Sequence, residues 1–154
     1  MFTPWPIGFV SSPYKEGSDI PKGLGIRHEA EGVITVLPDF ELGLTDIDGF
    51  SHLIVLWEFD RSQHFELLGT PPTDNRQHGV FATRSPRRPN PIGLTVVELL
   101  RRTGAELRVR GVDMLDGTPI LDIKPYLSNV PEASLRRGWL AEAEARANGT
   151  AAVS

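Results

Sequence analysis

Short apolar runs separated by glycine and proline are the feature that most restricts the fold of this 154-residue chain. Its 15 glycines and 13 prolines interrupt regular structure at short intervals. Between them, β-branched or alternating stretches predict strands at residues 33–37, 53–59, 80–83, 94–100, 106–112 and 120–123, with 53–59 buried on both faces. In the stretch 106–112, Leu107 and Val109 should face inward and Arg108 and Arg110 outward. This pattern favours a mainly β fold, a small barrel.

Only the C-terminus has a helical composition. Pro131 suits a first helical turn, and residues 134–147 are rich in Ala, Glu, Leu and Arg, with Gly138 as a possible division. Asn148-Gly149 should end the helix. We expect one domain over residues 1–140, and the end of the helix with a frayed tail over 141–154.

Composition restricts the possible functions. The absence of cysteine excludes disulfides and thiolate metal sites, and the histidines lack metal-ligand spacing, so no metal is expected. There is no apolar run of membrane-spanning length and no signal-peptide pattern, so we expect a cytoplasmic protein without membrane contact. The net charge of −4 divides unevenly, with −8 over residues 1–75 and +5 over residues 76–137. The second half could present a positive surface to a polyanion, or these charges could cancel after folding.

The segment Gly79–Gly93, GVFATRSPRRPNPIG, is the strongest candidate for a binding site. It places Arg84, Arg87 and Arg88 among prolines that fix the backbone. Three neighbouring arginines repel one another and add little to fold stability, so the segment is predicted to bind a ligand. The alternative is a PxxP peptide over residues 86–89, of the kind that SH3-type domains recognise.

Four blocks in this order resemble the TsaA-like, or TrmO, family. They are IGFVSSPY at residues 7–14, FSHLIVLW at 50–57, FATRSPRRPNPIG at 81–93 and GVDMLDGTPILDIKPY at 111–126. The resemblance covers about residues 5–139 and implies a compact β-barrel with peripheral helices, usually a homodimer. It also implies an S-adenosylmethionine-dependent methyltransferase acting on N6-threonylcarbamoyladenosine beside the anticodon of tRNA.

The resemblance further implies site residues. By position, the S-adenosylmethionine contacts would be Pro21, Lys22, Gly23, Phe59, Asp60, Arg84, Leu94, Met114, Leu115, Asp116 and Gly117. For RNA contacts we predict Arg87, Arg88 and Asn90, and Gly23 to Gly25 is a further point where a ligand could approach the backbone.

Methyl transfer to a weakly nucleophilic nitrogen would be helped by a base. The candidates are Asp60, Asp113, Asp116 and Asp122. Asp122, Lys124 and Tyr126 are the predicted catalytic group, because residues 122 and 124 share one strand face; the alternative is a structural ion pair.

Two residues depart from the family pattern. Asp60 stands where histidine is frequent, and Gly23 where glutamine is frequent. They leave open a small-molecule methyl acceptor instead of tRNA.

Overall fold

Six antiparallel strands close into a barrel in the order β1-β2-β7-β6-β3-β8, in a computed structural model that describes residues 1–23 and 26–149. The strands are β1 (Gly8–Ser11), β2 (Glu31–Val36), β3 (His52–Glu58), β4 (Leu68–Gly69), β5 (His78–Gly79), β6 (Ile92–Thr103), β7 (Glu106–Arg110) and β8 (Pro119–Pro125). β4 and β5 form a separate two-stranded ladder outside the barrel. The mainly β barrel predicted from the sequence is confirmed.

Alternating side chains fill the barrel interior. From β7, Leu107 and Val109 are fully buried, as the alternation predicts. In β3 the buried residues are Leu53, Val55 and Trp57, while the residues between them are only half-buried. The prediction that β3 is buried on both faces is therefore wrong: the strand has one core face, as expected of an antiparallel barrel.

The prediction of a strand at residues 80–83 is also wrong. Val80–Ala82 forms a 3-10 turn, because both the backbone nitrogen and Oγ1 of Thr83 donate to the Val80 carbonyl, at 3.1 and 3.0 Å. The turn redirects the chain from β5 into the arginine-rich segment.

The C-terminal helix α1 spans Gly138–Ala147 and ends at Asn148, where the sequence predicts its end. The predicted start, with Pro131 in the first turn and helix from residue 134, is wrong, because Glu132–Ser134 forms a separate 3-10 turn. Gly138, with φ +54, lies at the start of α1. Gly25 and residues 150–154, for which the sequence predicts a ligand approach and a frayed tail, lie outside the described residues.

Candidate active site

The segment from residue 79 to residue 93, called the arginine loop below, is held by its own hydrogen bonds. Ser85 accepts from the backbone nitrogen of Arg87 at 3.1 Å, and the backbone nitrogen of Arg88 donates to the Pro86 carbonyl at 3.0 Å. Neighbouring segments add bonds from Ser62 Oγ to the Pro86 carbonyl and from Trp139 Nε1 to the Ala82 carbonyl, at 3.1 and 2.8 Å. These hydrogen bonds hold the loop in one conformation.

The three arginines of the loop differ in what they do. Arg88 is half-buried and donates through Nη1 to the carbonyls of Thr83 and Ser85, at 2.8 and 3.3 Å. Arg84 and Arg87 are exposed, and their guanidinium groups make no hydrogen bond or ion pair to a residue in the described part of the chain. Two of the three are therefore free to bind a ligand.

The connection from β7 to β8 carries Asp113 on the same side as the arginine loop. Val112 and Met114 are fully buried on either side of it, which turns Asp113 away from the core; its side chain is 26% exposed. Backbone nitrogens of Gly111 and Val112 donate to the Ala30 carbonyl and fix the start of the connection.

A buried polar chain orients Asp113. The Nε1 of Trp57 donates to Thr95 Oγ1 at 2.9 Å, and Thr95 Oγ1 donates to Asp113 Oδ1 at 2.5 Å. Burial raises the pKa of the Asp113 carboxyl, against the opposing effects of the Thr95 hydrogen bond and the positive charges of His28 and Arg84.

His28 lies on the other side of this carboxylate. Its Nε2 is 3.9 Å from Asp113 Oδ2, and its Nδ1 is buried with no hydrogen-bond partner among the described residues. A buried ring nitrogen without a partner is unusual and marks a place where a ligand or water can bind.

Three cavities meet at these residues. The loop cavity, about 360 Å³, lies between the arginine loop, residues 20–23, Ile26, residues 69–73 and Trp139. The Trp57 cavity, about 610 Å³, is bounded by Trp57, residues 58–64 and residues 113–115. The edge cavity, about 330 Å³, lies along Leu94 to Val96 of β6. Among the residues that the structure describes, Arg84 and Asp113 are the two that border all three.

Most residues predicted to contact the cofactor border one of these cavities. They are Pro21, Lys22 and Gly23 in the loop cavity, Phe59, Asp60, Met114 and Leu115 in the Trp57 cavity, Leu94 in the edge cavity, and Arg84 in all three. The structure therefore gathers residues from four distant parts of the chain, although their contact with a cofactor stays a prediction.

Asp116 and Gly117 lie next to this group but do not line the cavities. The Asp116 carboxylate accepts from Lys15 Nζ and from the Ser12 backbone, at 2.8 and 2.9 Å, and these bonds hold its pKa below the usual range. Arg61 Nη2 donates to the Asp116 carbonyl at 2.7 Å. Asp116 thus fastens the β7–β8 connection to the N-terminal segment.

The predicted catalytic group lies elsewhere. Asp122 and Lys124, on β8, form an ion pair at 3.0 Å, and Tyr126 packs edge-on to His52 with ring centroids 6.5 Å apart. None of the three borders the cavities described above. Their catalytic role stays a prediction that this placement does not support.

Of the predicted RNA contacts, Arg87 borders the Trp57 cavity and Asn90 is exposed on the arginine loop. The hydrogen bonds of Arg88 to loop carbonyls stabilise the loop itself. Arg87 is therefore better placed than Arg88 to contact RNA.

Sequence reasoning assigned no site role to His28 or Thr95. Thr95 had one available signal, a polar residue at an inward position among the apolar residues of β6, where it is 6% exposed. No sequence signal identifies His28 as a site residue, because it comes close to Asp113 only when the barrel closes.

The described residues contain no cluster of three or more His, Cys, Asp or Glu side chains able to hold a metal ion. Within the same residues, no helix has the length and apolar character to cross a membrane.

Comparison with known proteins agrees with this architecture. Residues 9–131 match the family model of the tRNA-methyltransferase O N-terminal domain. A probable S-adenosyl-L-methionine-binding protein of Pyrococcus abyssi is 50% identical over 139 residues, which cover 88% of this chain and 74% of the relative. The tRNA (adenine(37)-N6)-methyltransferase of Escherichia coli is 37% identical over 141 residues, covering 83% of this chain and 60% of the enzyme.

A crystal structure of TrmO from Pseudomonas aeruginosa superposes with a TM-score of 0.72 at 35% identity, covering 90% of this chain and 61% of the other. The chain therefore spans less than two thirds of the length of TrmO and of the Escherichia coli enzyme. The matched residues include the barrel strands from Phe9 onward, the arginine loop and Asp113. This chain belongs to the family of the tRNA-methyltransferase O N-terminal domain.

Proposed function

We propose that this protein is an S-adenosylmethionine-dependent methyltransferase that methylates N6 of threonylcarbamoyladenosine beside the anticodon of tRNA. The observation that carries the proposal is the meeting of three cavities at Arg84, which has no ion-pair partner among the described residues, and at the partly buried Asp113. The names of the relatives support the cofactor and the adenine-N6 reaction. The threonylcarbamoyl group comes from the family resemblance.

The side chains around the Trp57 cavity fit the cofactor. Its volume of about 610 Å³ is within the range of small-molecule sites. Arg84 can donate to a carboxylate, Asp60 can accept from an ammonium group, and the rings of Trp57 and Phe59, with centroids 4.3 Å apart, supply an aromatic wall. When bound, S-adenosylmethionine supplies the methyl group, and the protein supplies orientation and exclusion of water.

The same region has the charge required for an RNA substrate. Arg87 is exposed and unpaired within the described residues, and Lys22 and Arg61 also border the Trp57 cavity. Cations attract and position phosphates, and they suit the carboxylate of a threonylcarbamoyl group equally well. Of the positive excess of residues 76–137, Arg84 and Arg87 lie beside this cavity.

The alternative of a PxxP interaction segment receives no support from the geometry. Polyproline II helices have no internal hydrogen bonds. Here the Arg88 backbone nitrogen bonds to Pro86, and the Arg88 side chain bonds back to Thr83 and Ser85. The segment is folded into the molecule.

We also propose a homodimer that pairs through the outer face of β3 and β6, in the cytoplasm. Ile92, Leu94 and Val96 are 46%, 44% and 39% exposed, and the register places Leu56 and Ile54 opposite Leu94 and Val96. An apolar stripe of this kind on a barrel surface favours pairing. Sedimentation equilibrium tests this: we expect a dimer that Leu94→Glu converts to a monomer, and a monomeric wild type would contradict it.

The proposed activity is tested by incubating the protein and methyl-deuterated S-adenosylmethionine with tRNA from a strain that lacks the gene. Mass spectrometry of the digested nucleosides should show the label on threonylcarbamoyladenosine. If calorimetry shows that the cofactor binds but no nucleoside is labelled, the acceptor is another molecule. Asp60 and Gly23, which depart from the family pattern, would then be the residues to exchange first.

A further inference from the structure

Methylation of N6 requires that the nitrogen lose its proton, and four aspartates of this chain are candidates to take it. We propose that Asp113 is the general base and that Thr95 positions it. This inference rests on the proposed function and assigns the proton-transfer step within it.

Position separates Asp113 from the other three. It borders all three cavities, next to Arg84. Asp60 is exposed and borders only the Trp57 cavity, and Asp122 is paired with Lys124 on a part of β8 that borders none. Asp116 is occupied by Lys15 and Ser12, and its lowered pKa makes it a weaker base.

The two carboxylate oxygens of Asp113 have different surroundings. Oδ1 is held by the Thr95 hydroxyl at 2.5 Å, and that hydroxyl is fixed in turn by Trp57 Nε1. Oδ2 accepts no hydrogen bond from another described residue, since His28 Nε2, at 3.9 Å, is too distant. Oδ1 is therefore held in place by Thr95, and Oδ2 is available to accept a proton.

The electrostatic surroundings also suit a base. Burial raises the pKa of Asp113, so its carboxylate is more basic than that of an exposed aspartate. The neighbouring groups whose positive charge favours the ionised form are Arg84, from the arginine loop, and His28, from the segment before β2, when its ring is protonated. Neither group donates a hydrogen bond to Oδ2, so this oxygen stays open to the substrate nitrogen.

The step balances with these groups alone. The nitrogen–methyl bond forms as the sulfonium carbon–sulfur bond breaks, which leaves a neutral thioether. The N6 proton passes to Asp113 Oδ2, and the neutral carboxylic acid later releases it to solvent. No oxidant, reductant or further reactant is required.

The test compares single-turnover methylation by wild type and Asp113→Asn between about pH 4 and pH 9; asparagine keeps the shape of the side chain but cannot take a proton. We expect the wild-type rate to rise with pH along an acid limb. We expect Asp113→Asn to lose the limb and about 100-fold in rate, while its cofactor affinity by calorimetry stays within about threefold. Asp113→Glu should keep the limb. Asp39→Asn, an exposed aspartate that borders none of the cavities, should match wild type.

Thr95 variants keep the proposal testable if Asp113→Asn fails to fold. Because the Thr95 hydrogen bond lowers the pKa of Asp113, Thr95→Val should move the acid limb to higher pH, and Thr95→Ser should restore it. The Asp113 carboxyl signal, followed by carbon NMR without substrate, should titrate above the ordinary aspartate pKa of about 3.9.

The outcomes are distinct. A normal rate and acid limb in Asp113→Asn, or loss of the limb in Asp122→Asn instead, would overturn the assignment and leave the proposed function intact. A limb that stays in place in Thr95→Val would overturn the positioning role. Absence of methylation by the wild type on every tRNA would overturn the proposed function itself.

Discussion

Gly93 lies directly beneath the indole of Trp57. The two residues are opposite each other in the β3–β6 register, and a Cβ atom at residue 93 would lie 2.3 Å from Trp57 Cε2. This close approach allows the indole to lie flat on β6, where its Nε1 reaches Thr95 and its ring borders the Trp57 cavity. Only glycine leaves room for it.

The contact predicts that Gly93→Ala displaces Trp57. Overpacking of this kind costs about 1–3 kcal/mol in the free energy of unfolding, measurable by urea denaturation. Gly43→Ala is the matched control, because a Cβ there meets nothing within 4 Å. Equal stability of the two variants would show that the indole has space to move.

Replacement of Arg84 should weaken cofactor binding. Loss of charge-assisted hydrogen bonds costs about 1.5–3 kcal/mol, so we expect Arg84→Ala to bind S-adenosylmethionine roughly 10- to 100-fold more weakly by calorimetry. Arg76→Ala removes an exposed arginine that borders no described cavity and should bind normally. Unchanged affinity in the Arg84 variant would remove this residue from the cofactor site.

Arg87 and Arg88 should respond differently to truncation, although they are neighbours. Arg87→Ala should weaken tRNA binding and reduce the slope of log affinity against log salt by about one, with normal cofactor affinity. Arg88→Ala removes two bonds to loop carbonyls and should mainly lower thermal stability. Filter binding at several salt concentrations, with thermal melts, separates the two; a larger RNA defect in Arg88→Ala would reverse the assignment.

Asp74 joins α1 to β5, the strand that leads into the arginine loop. Its buried carboxylate accepts from His78 Nε2 and Arg146 Nη2, both at 2.7 Å, and the His78 ring stacks on Trp139 with centroids 4.1 Å apart. The His78 hydrogen bond is the largest cause that holds the pKa of Asp74 well below its usual range.

A depressed pKa in the folded state gives the sign of the pH effect. The stabilisation is complete above the unfolded-state pKa of about 3.9 and is lost as pH falls below it toward the folded-state pKa. We expect wild type to exceed Asp74→Asn in free energy of unfolding at about pH 7, and the difference to shrink between about pH 4.5 and pH 3. Urea titrations at each pH measure it. A difference independent of pH would mean that Asp74 contributes through packing alone.

The sequence predicts the barrel better than it predicts the segments outside it. Alternation of apolar and polar residues locates β7, because Leu107 and Val109 lie on the same strand face and both are buried in the core. β1, four residues beginning at Gly8, is too short for any periodic signal. The 3-10 turn at residues 80–82 has an apolar composition typical of a strand, yet Phe81 is 78% exposed, because the Thr83 bonds close a turn there.

The site was predictable where one segment carries it, as with Arg84 and Arg87 in the arginine loop. The choice among the aspartates was not. Asp113 and Asp122 lie close together in sequence, but burial of Val112 and Met114 turns Asp113 toward the cavities, while strand pairing holds Asp122 beside Lys124. That distinction exists only after the barrel has closed.

The most direct test of the central claim uses one tRNA in two forms, with and without the threonylcarbamoyl group on the adenosine beside the anticodon. Each is incubated with the protein and methyl-deuterated S-adenosylmethionine, and the nucleosides are read by mass spectrometry. The account predicts one labelled methyl on threonylcarbamoyladenosine and none on the unmodified tRNA. Equal labelling of both forms, or of neither while the cofactor binds, would contradict it.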